Sequence, residues 1–370
     1  MKTAIRKKFA VLLCAVALAS CTNDDDIKPV EPVASCEIIE VSETISEPTV
    51  WTEGFVYVID GFDLRVESVL TIQPGVVVKV RNARISIFEE GKVIAEGTAD
   101  KRIVLTSLAD DRYCGDTNGD AVATKPEKGD WTALDLHGTI GSVFKYVDIF
   151  YAGQNSGGYH NAVVIGWQQS VSFTFDHCRI AHTLYQPGSS SYAFHGTSAM
   201  KDAGISKFTN NAFYDNGKPV YFHGFYQLDP SNVFHNPEAP SVTNTHNGIY
   251  MNLNGGENGL SVNWNNTEVP YVYEQVSVVQ VHPTATVNIK PDVIVKFSDP
   301  SGGLQSYNGN VHLDPAAILT SYKDDSRGGD TNGDGSTTTP STGDWKGFRY
   351  SGGGTGAYWV AGPNIMYAEN

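Results

Sequence analysis

Apolar residues alternate with polar ones along short stretches of this chain. Leu70 and Ile72 are followed by Val76, Val78 and Val80, so that every second side chain would face a core. A period of two predicts β-strands with one buried face. Gly, Pro, Asn and Asp separate these stretches, and the sequence after residue 20 shows no helical apolar pattern of ten or more residues. The pattern therefore predicts many short strands and no long helix.

An acidic segment occurs twice, and every paired position differs by 214 residues. The first copy contains Gly115–Asp120 (GDTNGD) and Gly129–Trp131 (GDW), and the second contains Gly329–Asp334 and Gly343–Trp345 with the same letters. The similarity extends over residues 69–152 and 284–368. A shared register over this distance predicts two copies of one module.

A weaker repeat fills the middle of the chain. Related segments begin at Phe144, Phe175, Phe208 and Leu228, at spacings of about 20 to 33 residues, the length of one coil of a parallel β-solenoid. Asn residues at their turns would tolerate a left-handed backbone and could stack from coil to coil. We therefore expect an all-β chain in which the apolar positions of successive coils stack inward.

Several motifs support one resemblance. The strand pattern Ile72–Lys79, the pair Gly97-Thr98, the loop Asp116–Asp120 and Gly129–Trp131 resemble right-handed parallel β-helix repeat proteins, in particular the secreted and surface lipoproteins of Bacteroidetes. The resemblance covers residues 51–370 and implies one continuous right-handed parallel β-helix with long acidic loop insertions. Proteins with this fold include polysaccharide lyases, hydrolases, adhesins and members without known activity, so the fold does not decide the function.

Residues 1–20 have the pattern of a bacterial lipoprotein signal peptide. Basic residues precede the short apolar segment Phe9–Leu18, and Leu18–Cys21 looks like a lipobox, which would make Cys21 the lipid-bearing first residue. Asp24–Asp26 resemble a surface-export signal, and residues 21–50 read as an acidic, Pro-rich tether. We expect a lipid-anchored protein of the outer membrane, exposed at the cell surface. An ordinary cleaved signal peptide is the alternative.

The net charge bears on the class of partner, and the cysteine content bears on disulfide formation. The chain has 26 Lys+Arg and 41 Asp+Glu, and removal of residues 1–20 would leave 22 basic residues and a formal charge of −19. This charge argues against nucleic acid as a partner. Cys36, Cys114 and Cys178 would remain besides the lipid site. One disulfide is expected in an exported protein, but the sequence does not choose the pair.

The repeated acidic segment has the chemistry of a calcium site, because Ca²⁺ takes about six to eight oxygen ligands. The predicted ligands alternate along each loop or lie at its base: Asp116, Asn118, Asp120, Asp130, Asp330, Asn332, Asp334 and Asp344. Asp110 and Asp111, with Asp324 and Asp325, could complete the shells. The alternative is a turn-rich insertion in which Asp and Asn bind local backbone. Clustered carboxylates repel one another without a cation, so we expect a structural Ca²⁺.

A stretch dense in aromatic residues is the candidate ligand site. Its members are Tyr185, Tyr192, His195, Tyr221, His223 and Tyr226, and the loop Gly153–Tyr159 would form its lip. Flat rings with polar edges suit the faces of sugars. The alternative is that these rings fill the core.

The sequence carries no recognisable catalytic signature. Lys145, Arg179 and Lys207 would face outward, and Arg179 is expected beside Asp148 as a surface ion pair. We therefore expect non-catalytic binding of an extracellular glycan or host surface ligand, or adhesion. The alternatives are a polysaccharide lyase or glycoside hydrolase, which needs an aligned charged groove, and an envelope protein whose ligand is another protein.

Overall fold

A computed structural model describes residues 36–88, 90–166, 171–196, 206–253, 259–352 and 354–370. The predicted signal peptide, the lipid site Cys21 and the tether up to residue 35 lie outside this part of the chain. The described residues form strands, turns and loops. None of them belongs to a helix long and apolar enough to cross a membrane.

The first eighteen strands are β1 Glu37–Glu40, β2 Thr49–Trp51, β3 Phe55–Asp60, β4 Leu64–Val66, β5 Val69–Ile72, β6 Val77–Arg81, β7 Ile85–Ile87, β8 Lys92–Glu96, β9 Ile103–Ser107, β10 Leu134–Leu136, β11 Ile140–Lys145, β12 Val147–Phe150, β13 Val163–Ile165, β14 Ser172–Asp176, β15 Arg179–Ala181, β16 Tyr192–His195, β17 Lys207–Thr209 and β18 Ala212–Tyr214. The remaining strands are β19 Lys218–His223, β20 His235–Asn236, β21 Ala239–Thr243, β22 Ile249–Asn252, β23 Ser261–Trp264, β24 Tyr271–Tyr273, β25 Val278–Gln280, β26 Thr286–Ile289, β27 Ile294–Phe297, β28 Gly303–Tyr307, β29 Val311–Leu313, β30 Ile318–Ser321, β31 Gly347–Gly352 and β32 Thr355–Val360.

Three parallel sheets form the first part of a β-helix. Sheet A has the order β1-β3-β6-β9-β12-β15-β18, sheet C has the order β2-β5-β8-β11-β14-β17, and sheet B begins β4-β7-β10-β13-β16-β19. From β2 to β19 the chain visits C, A and B in strict succession, so each coil adds one strand to each sheet. The fold is the expected all-β parallel β-helix.

The succession of sheets changes in the second part. The antiparallel hairpin β20–β21 follows β19, and sheet B continues through β22, β24, β27 and β30. Two new sheets accompany it, sheet D (β23-β26-β29) and sheet E (β25-β28-β31-β32). The last coils therefore run D, B, E instead of C, A, B. The transition falls within residues 236–253 and 259–283.

The first coil begins inside the stretch that the sequence assigned to the tether. β1 pairs in parallel with β3, with Glu37 opposite Phe55 and Glu40 opposite Val58. Strand β2 pairs with β5 in the same way. The sheets thus start near residue 37, about one coil before residue 51.

The predicted alternation places the core inside the coils. Leu70, Ile72, Val78 and Val80 are all at most 5% exposed and belong to one continuous inner cluster. Aromatic residues at equivalent positions stack between coils, as the rings of Phe144 and Phe175 do at 4.6 Å between centroids. Burying such rings removes large apolar areas from water, which is the main stabilising contribution.

Asparagines form a ladder at the turns, as their recurrence suggests. Asn211 Nδ2 donates to Asn232 Oδ1 at 2.9 Å, and Asn216 Nδ2 donates to Asn244 Oδ1 at 2.9 Å. The four side chains are at most 5% exposed, so each bond satisfies a polar group that would otherwise be costly to bury. The ladder fixes the register of the coils.

A disulfide joins Cys36 to Cys114, with 5.1 Å between their Cα atoms. It resolves the pairing that the sequence left open. Cys178 is a buried free thiol in the inner core, and burial raises its pKa to about 12. The disulfide ties the first acidic loop to the residue that precedes β1.

The two copies of the module leave the β-helix from different sheets. The first acidic loop follows β9, a strand of sheet A, whereas the second follows β30, a strand of sheet B. The change from the C, A, B succession to D, B, E accounts for this difference. Each loop consequently covers a different outer surface.

Candidate functional sites on the acidic loops and the outer face of sheet B

A buried lysine anchors each acidic loop to the strand beneath it. Lys79 Nζ donates to the Gly115 carbonyl at 2.8 Å, and Lys296 Nζ donates to the Gly329 carbonyl at 2.7 Å. Both lysines are 0% exposed. Burial lowers the pKa of Lys296 to about 8, although nearby carboxylates act in the opposite direction. The two lysines occupy matching places in the two modules, so the repeat in sequence is a repeat in structure.

Asp116 and Asp330 organise the turn of each loop. In the second loop, Asp330 Oδ1 accepts from the Gly333 amide at 2.7 Å and Oδ2 accepts from the Gly335 amide at 2.7 Å. Asp116 accepts from the amides of Gly119 and Ala121, both at 2.8 Å. This is the local backbone bonding expected of a turn. Oδ1 of each aspartate accepts a second amide, but Oδ2 accepts only one and keeps a further lone pair for a cation.

Three carboxylates converge in the second loop. Asp325, Asp330 and Asp334 each offer an oxygen, and these atoms lie within 4.8 Å of one another. Two oxygens bound to one Ca²⁺ at about 2.4 Å can be at most about 4.8 Å apart, so this spacing fits a shared ion. Burial, and then the charge of Asp330, raise the pKa of Asp325.

Both acidic loops contain carboxylate oxygens without a hydrogen-bond partner. Asp325 Oδ1 is buried and has no hydrogen-bond partner among the described residues. In the first loop the same holds for Asp111 Oδ1 and Asp120 Oδ1. The pKa of Asp111 is raised by burial, and the charges of Asp116 and Asp120 raise it further. One lysine per loop supplies one positive charge against three carboxylates, so a divalent cation would balance the remainder.

The other predicted ligands bind protein groups. Asn118 and Asn332 donate through Nδ2 to Asp120 and Asp334, at 2.9 and 3.0 Å. The aspartates at the loop bases accept from serines: Ser107 Oγ donates to Asp130 at 2.5 Å, and Ser321 Oγ donates to Asp344 at 2.7 Å. The structure thus brings Asp330 and Asp334 together with Asp325, which the sequence had named only as an addition to the shell.

The outer face of sheet B carries part of the predicted aromatic site. In the parallel register, Val164 pairs with His195, His195 with Tyr221, and Tyr221 with Tyr250. The His195 and Tyr221 rings are stacked, with 5.0 Å between centroids and 5° between planes. Tyr192 lies beside Tyr221 at 5.0 Å. Neighbouring coils thus bring His195 and Tyr221 into one outward row, and Tyr192, which is 7% exposed, packs beneath it.

A charged pair lies next to this row. Lys218 Nζ lies 2.5 Å from Glu274 Oε1 and 4.6 Å from the centre of the Tyr250 ring. Tyr192 donates from its hydroxyl to Glu274 Oε2 at 2.7 Å. These contacts hold the aromatic side chains in fixed orientations. The sequence analysis did not single out Lys218 or Glu274, because they come from different coils.

Three other predicted ligand residues lie away from the row. Tyr226 is 5% exposed and packs in the inner core on Phe222, so it serves the core alternative rather than a surface. His223 is 4% exposed. Tyr185 is half-buried, and its ring lies 4.6 Å from that of His246. Strands of sheet B alternate in and out, and only some of the clustered aromatics fall on outward positions.

The second acidic loop covers one end of the same sheet face. Tyr250 donates from its hydroxyl to the Thr331 carbonyl at 3.3 Å and lies 2.9 Å from the Tyr322 hydroxyl. The first loop instead covers sheet A, where Tyr113 and Cys114 pack on an outer apolar cluster. Sheet B therefore keeps His195 and Tyr221 half-exposed beyond the end of the second loop.

Each of the three outward cations predicted from the sequence on the described middle coils is in an ion pair. Lys145 binds Glu96 at 2.6 Å, and Lys207 lies 3.6 Å from Asp176. Arg179 lies opposite Asp148, as expected, and also binds Glu238 at 2.9 Å. These pairs lie on two sheets, C and A. The three cations do not line up in one groove.

Comparison with the known protein families, with curated proteins and with solved structures finds no match for this chain.

Proposed function

We propose that this chain is a lipid-anchored cell-surface protein that binds an extracellular glycan without catalysis. Two acidic loops hold structural Ca²⁺, and the outer face of sheet B carries the glycan site. The anchor rests on the lipobox ending at Cys21 and on the acidic run after it. Those motifs, with the β-helix fold, resemble surface lipoproteins of Bacteroidetes. Replacement Cys21→Ser is expected to move the protein from the membrane to the soluble fraction; an unchanged distribution would contradict the anchor.

The observation that carries the glycan proposal is the outward row of His195 and Tyr221, against which the buried ring of Tyr192 packs. Aromatic rings with polar edges pack against the C–H faces of sugars and leave hydrogen bonds for hydroxyls. The row lies on a sheet whose strands are paired on both sides, so the rings are held in place before binding. The ion pairs of Lys145, Arg179 and Lys207 support binding over lyase chemistry, because these cations are already neutralised.

Affinity electrophoresis of residues 22–370 through gels containing soluble neutral and acidic polysaccharides tests this proposal. At least one polysaccharide is expected to retard the protein. Tyr221→Ala should weaken that retardation by about tenfold, since one lost ring contact costs up to about 1.5 kcal/mol. Tyr358→Ala is the control, because Tyr358 is 52% exposed on sheet E. The proposal fails if no polysaccharide retards the protein, or if both variants weaken binding equally.

A further inference from the structure

A small pocket opens on the outer face of sheet B, next to the aromatic row. It has a volume of about 220 Å³. Arg84, Asp135 and His195 line it from three coils, with Val164 between the last two, and Ser156 and Tyr159 belong to its lining as well. The last two belong to the loop Gly153–Tyr159, the lip that the sequence suggests. The pocket is smaller than the ~300–1,000 Å³ typical of sites for drug-sized ligands, so it suits a single sugar ring.

Three polar atoms of residues that line this pocket are buried and have no hydrogen-bond partner among the described residues. They are Arg84 Nε, Asp135 Oδ1 and His195 Nδ1. Leaving a buried polar group unpaired costs about 1–3 kcal/mol, so three such atoms around one pocket destabilise the folded protein when no ligand is bound. A ligand that donates to the carboxylate and accepts from the guanidinium would satisfy them. This pattern distinguishes the pocket from an ordinary surface depression.

The charges in the pocket cancel. Arg84 Nη1 lies 3.7 Å from Asp135 Oδ2, and the guanidinium also donates to the hydroxyl of Ser156. Burial raises the pKa of Asp135, against the opposing charge of Arg84. Burial lowers the pKa of His195 to about 4, so its ring is neutral at pH 7. The pocket therefore offers donors and acceptors without a spare cation.

We propose that this pocket binds one neutral sugar ring of the glycan through neighbouring hydroxyl groups. The Asp135 carboxylate accepts from one hydroxyl, the Arg84 guanidinium donates to a second hydroxyl oxygen, and the ring of Tyr159, a residue that is 55% exposed, flanks the C–H face. A uronic acid is disfavoured, because Arg84 is already paired and Asp135 repels a second carboxylate. This inference rests on the proposed glycan binding and names the class of sugar.

Titrations by saturation-transfer NMR test it on residues 22–370. The probes are the methyl glycosides of glucose, galactose, mannose, glucuronic acid and galacturonic acid. At least one neutral glycoside is expected to bind, and each uronate to bind at least about tenfold more weakly. Asp135→Asn and Arg84→Gln should each weaken the neutral ligand about tenfold, because a charge-assisted hydrogen bond is lost. Asp60→Asn and Arg81→Gln are matched controls from an exposed ion pair.

Thermal unfolding of the same variants separates binding from folding. Asp135→Asn should keep or raise the unfolding midpoint, because the substitution removes a buried charge that no hydrogen bond satisfies. The inference is overturned if both pocket variants bind like the wild type, or if a uronate binds best. Retention of polysaccharide binding in those variants, with its loss in Tyr221→Ala, would reject the pocket and keep the proposed function. If no glycoside and no polysaccharide bound the protein, both the pocket and the proposed function would be rejected.

Discussion

Removal of calcium with EDTA is expected to lower the unfolding midpoint of residues 22–370 by roughly 10 °C. A ligand that binds only the folded state at a hundred times its Kd stabilises by about 2.7 kcal/mol, and the two loops would add two such contributions. For a chain of this size, each kcal/mol shifts the midpoint by roughly 2 °C. The physical source is the repulsion between carboxylates without a cation: the triad Asp325, Asp330 and Asp334 in the second loop. In the first loop, the charges of Asp116 and Asp120 act on Asp111 in the same way.

The substitution must remove a calcium ligand without breaking the hydrogen bonds that hold the loop together. Asp330→Ala removes the acceptor for the amides of Gly333 and Gly335, so it should destabilise the loop even in EDTA. Asp325→Asn and Asp111→Asn instead alter side chains that each have an unpartnered oxygen. Each should remove about half of the calcium-dependent rise and keep or slightly raise the midpoint in EDTA, because one of the repelling charges is lost. Asp299→Asn, at a turn outside both loops, is the control. Equal rises in all variants would place the stabilising ion elsewhere.

Replacement Trp345→Ala is expected to destabilise the protein by about 3–5 kcal/mol, the usual cost of deleting a buried large aromatic side chain. Trp345 is 0% exposed and stacks on Phe297 at 4.1 Å with 3° between the ring planes. Its Nε1 donates to the Met366 carbonyl at 2.8 Å. The residue packs at the base of the second loop, against the last coils. Urea unfolding followed by circular dichroism measures the loss.

Trp345→Phe is the matched control for that measurement. It keeps a ring against Phe297 but leaves the Met366 carbonyl without its donor, so it should cost about 1–2 kcal/mol. We expect the free energy of unfolding to be lowest for Trp345→Ala, intermediate for Trp345→Phe and highest for the wild type. A loss below about 1 kcal/mol for Trp345→Ala would mean that the indole is not part of the core.

The architecture was predictable from local patterns. Period-two alternation places Leu70 and Ile72 inward, and the strand β5 that contains them has this pattern of burial. The 214-residue register correctly paired two loops that share a lysine anchor and a tryptophan base. The change of sheet between the loops was not predictable, because it depends on every coil between them, including the hairpin β20–β21. A repeat in sequence gives the local structure but not the face from which it projects.

The sites were only partly predictable, for a geometric reason. Alternate spacing suggested that Asp116, Asn118 and Asp120 point together, but the turn directs the amide of Asn118 onto Asp120. Spacing along a loop does not fix direction once side chains bind the local backbone. The pocket residues Arg84 and Asp135 were missed because they are 51 positions apart. One signal was present: Asp135 lies between Leu134 and Leu136, at the outward position of a strand.

Equilibrium dialysis with radioactive calcium tests most directly the central claim, that the duplicated module is a duplicated cation site. We expect two bound Ca²⁺ per wild-type chain. Each single variant, Asp111→Asn or Asp325→Asn, should bind about one, and the double variant fewer than about one. Asp299→Asn should bind as the wild type does. No bound calcium at millimolar concentration, or a stoichiometry that these substitutions leave unchanged, would contradict the account.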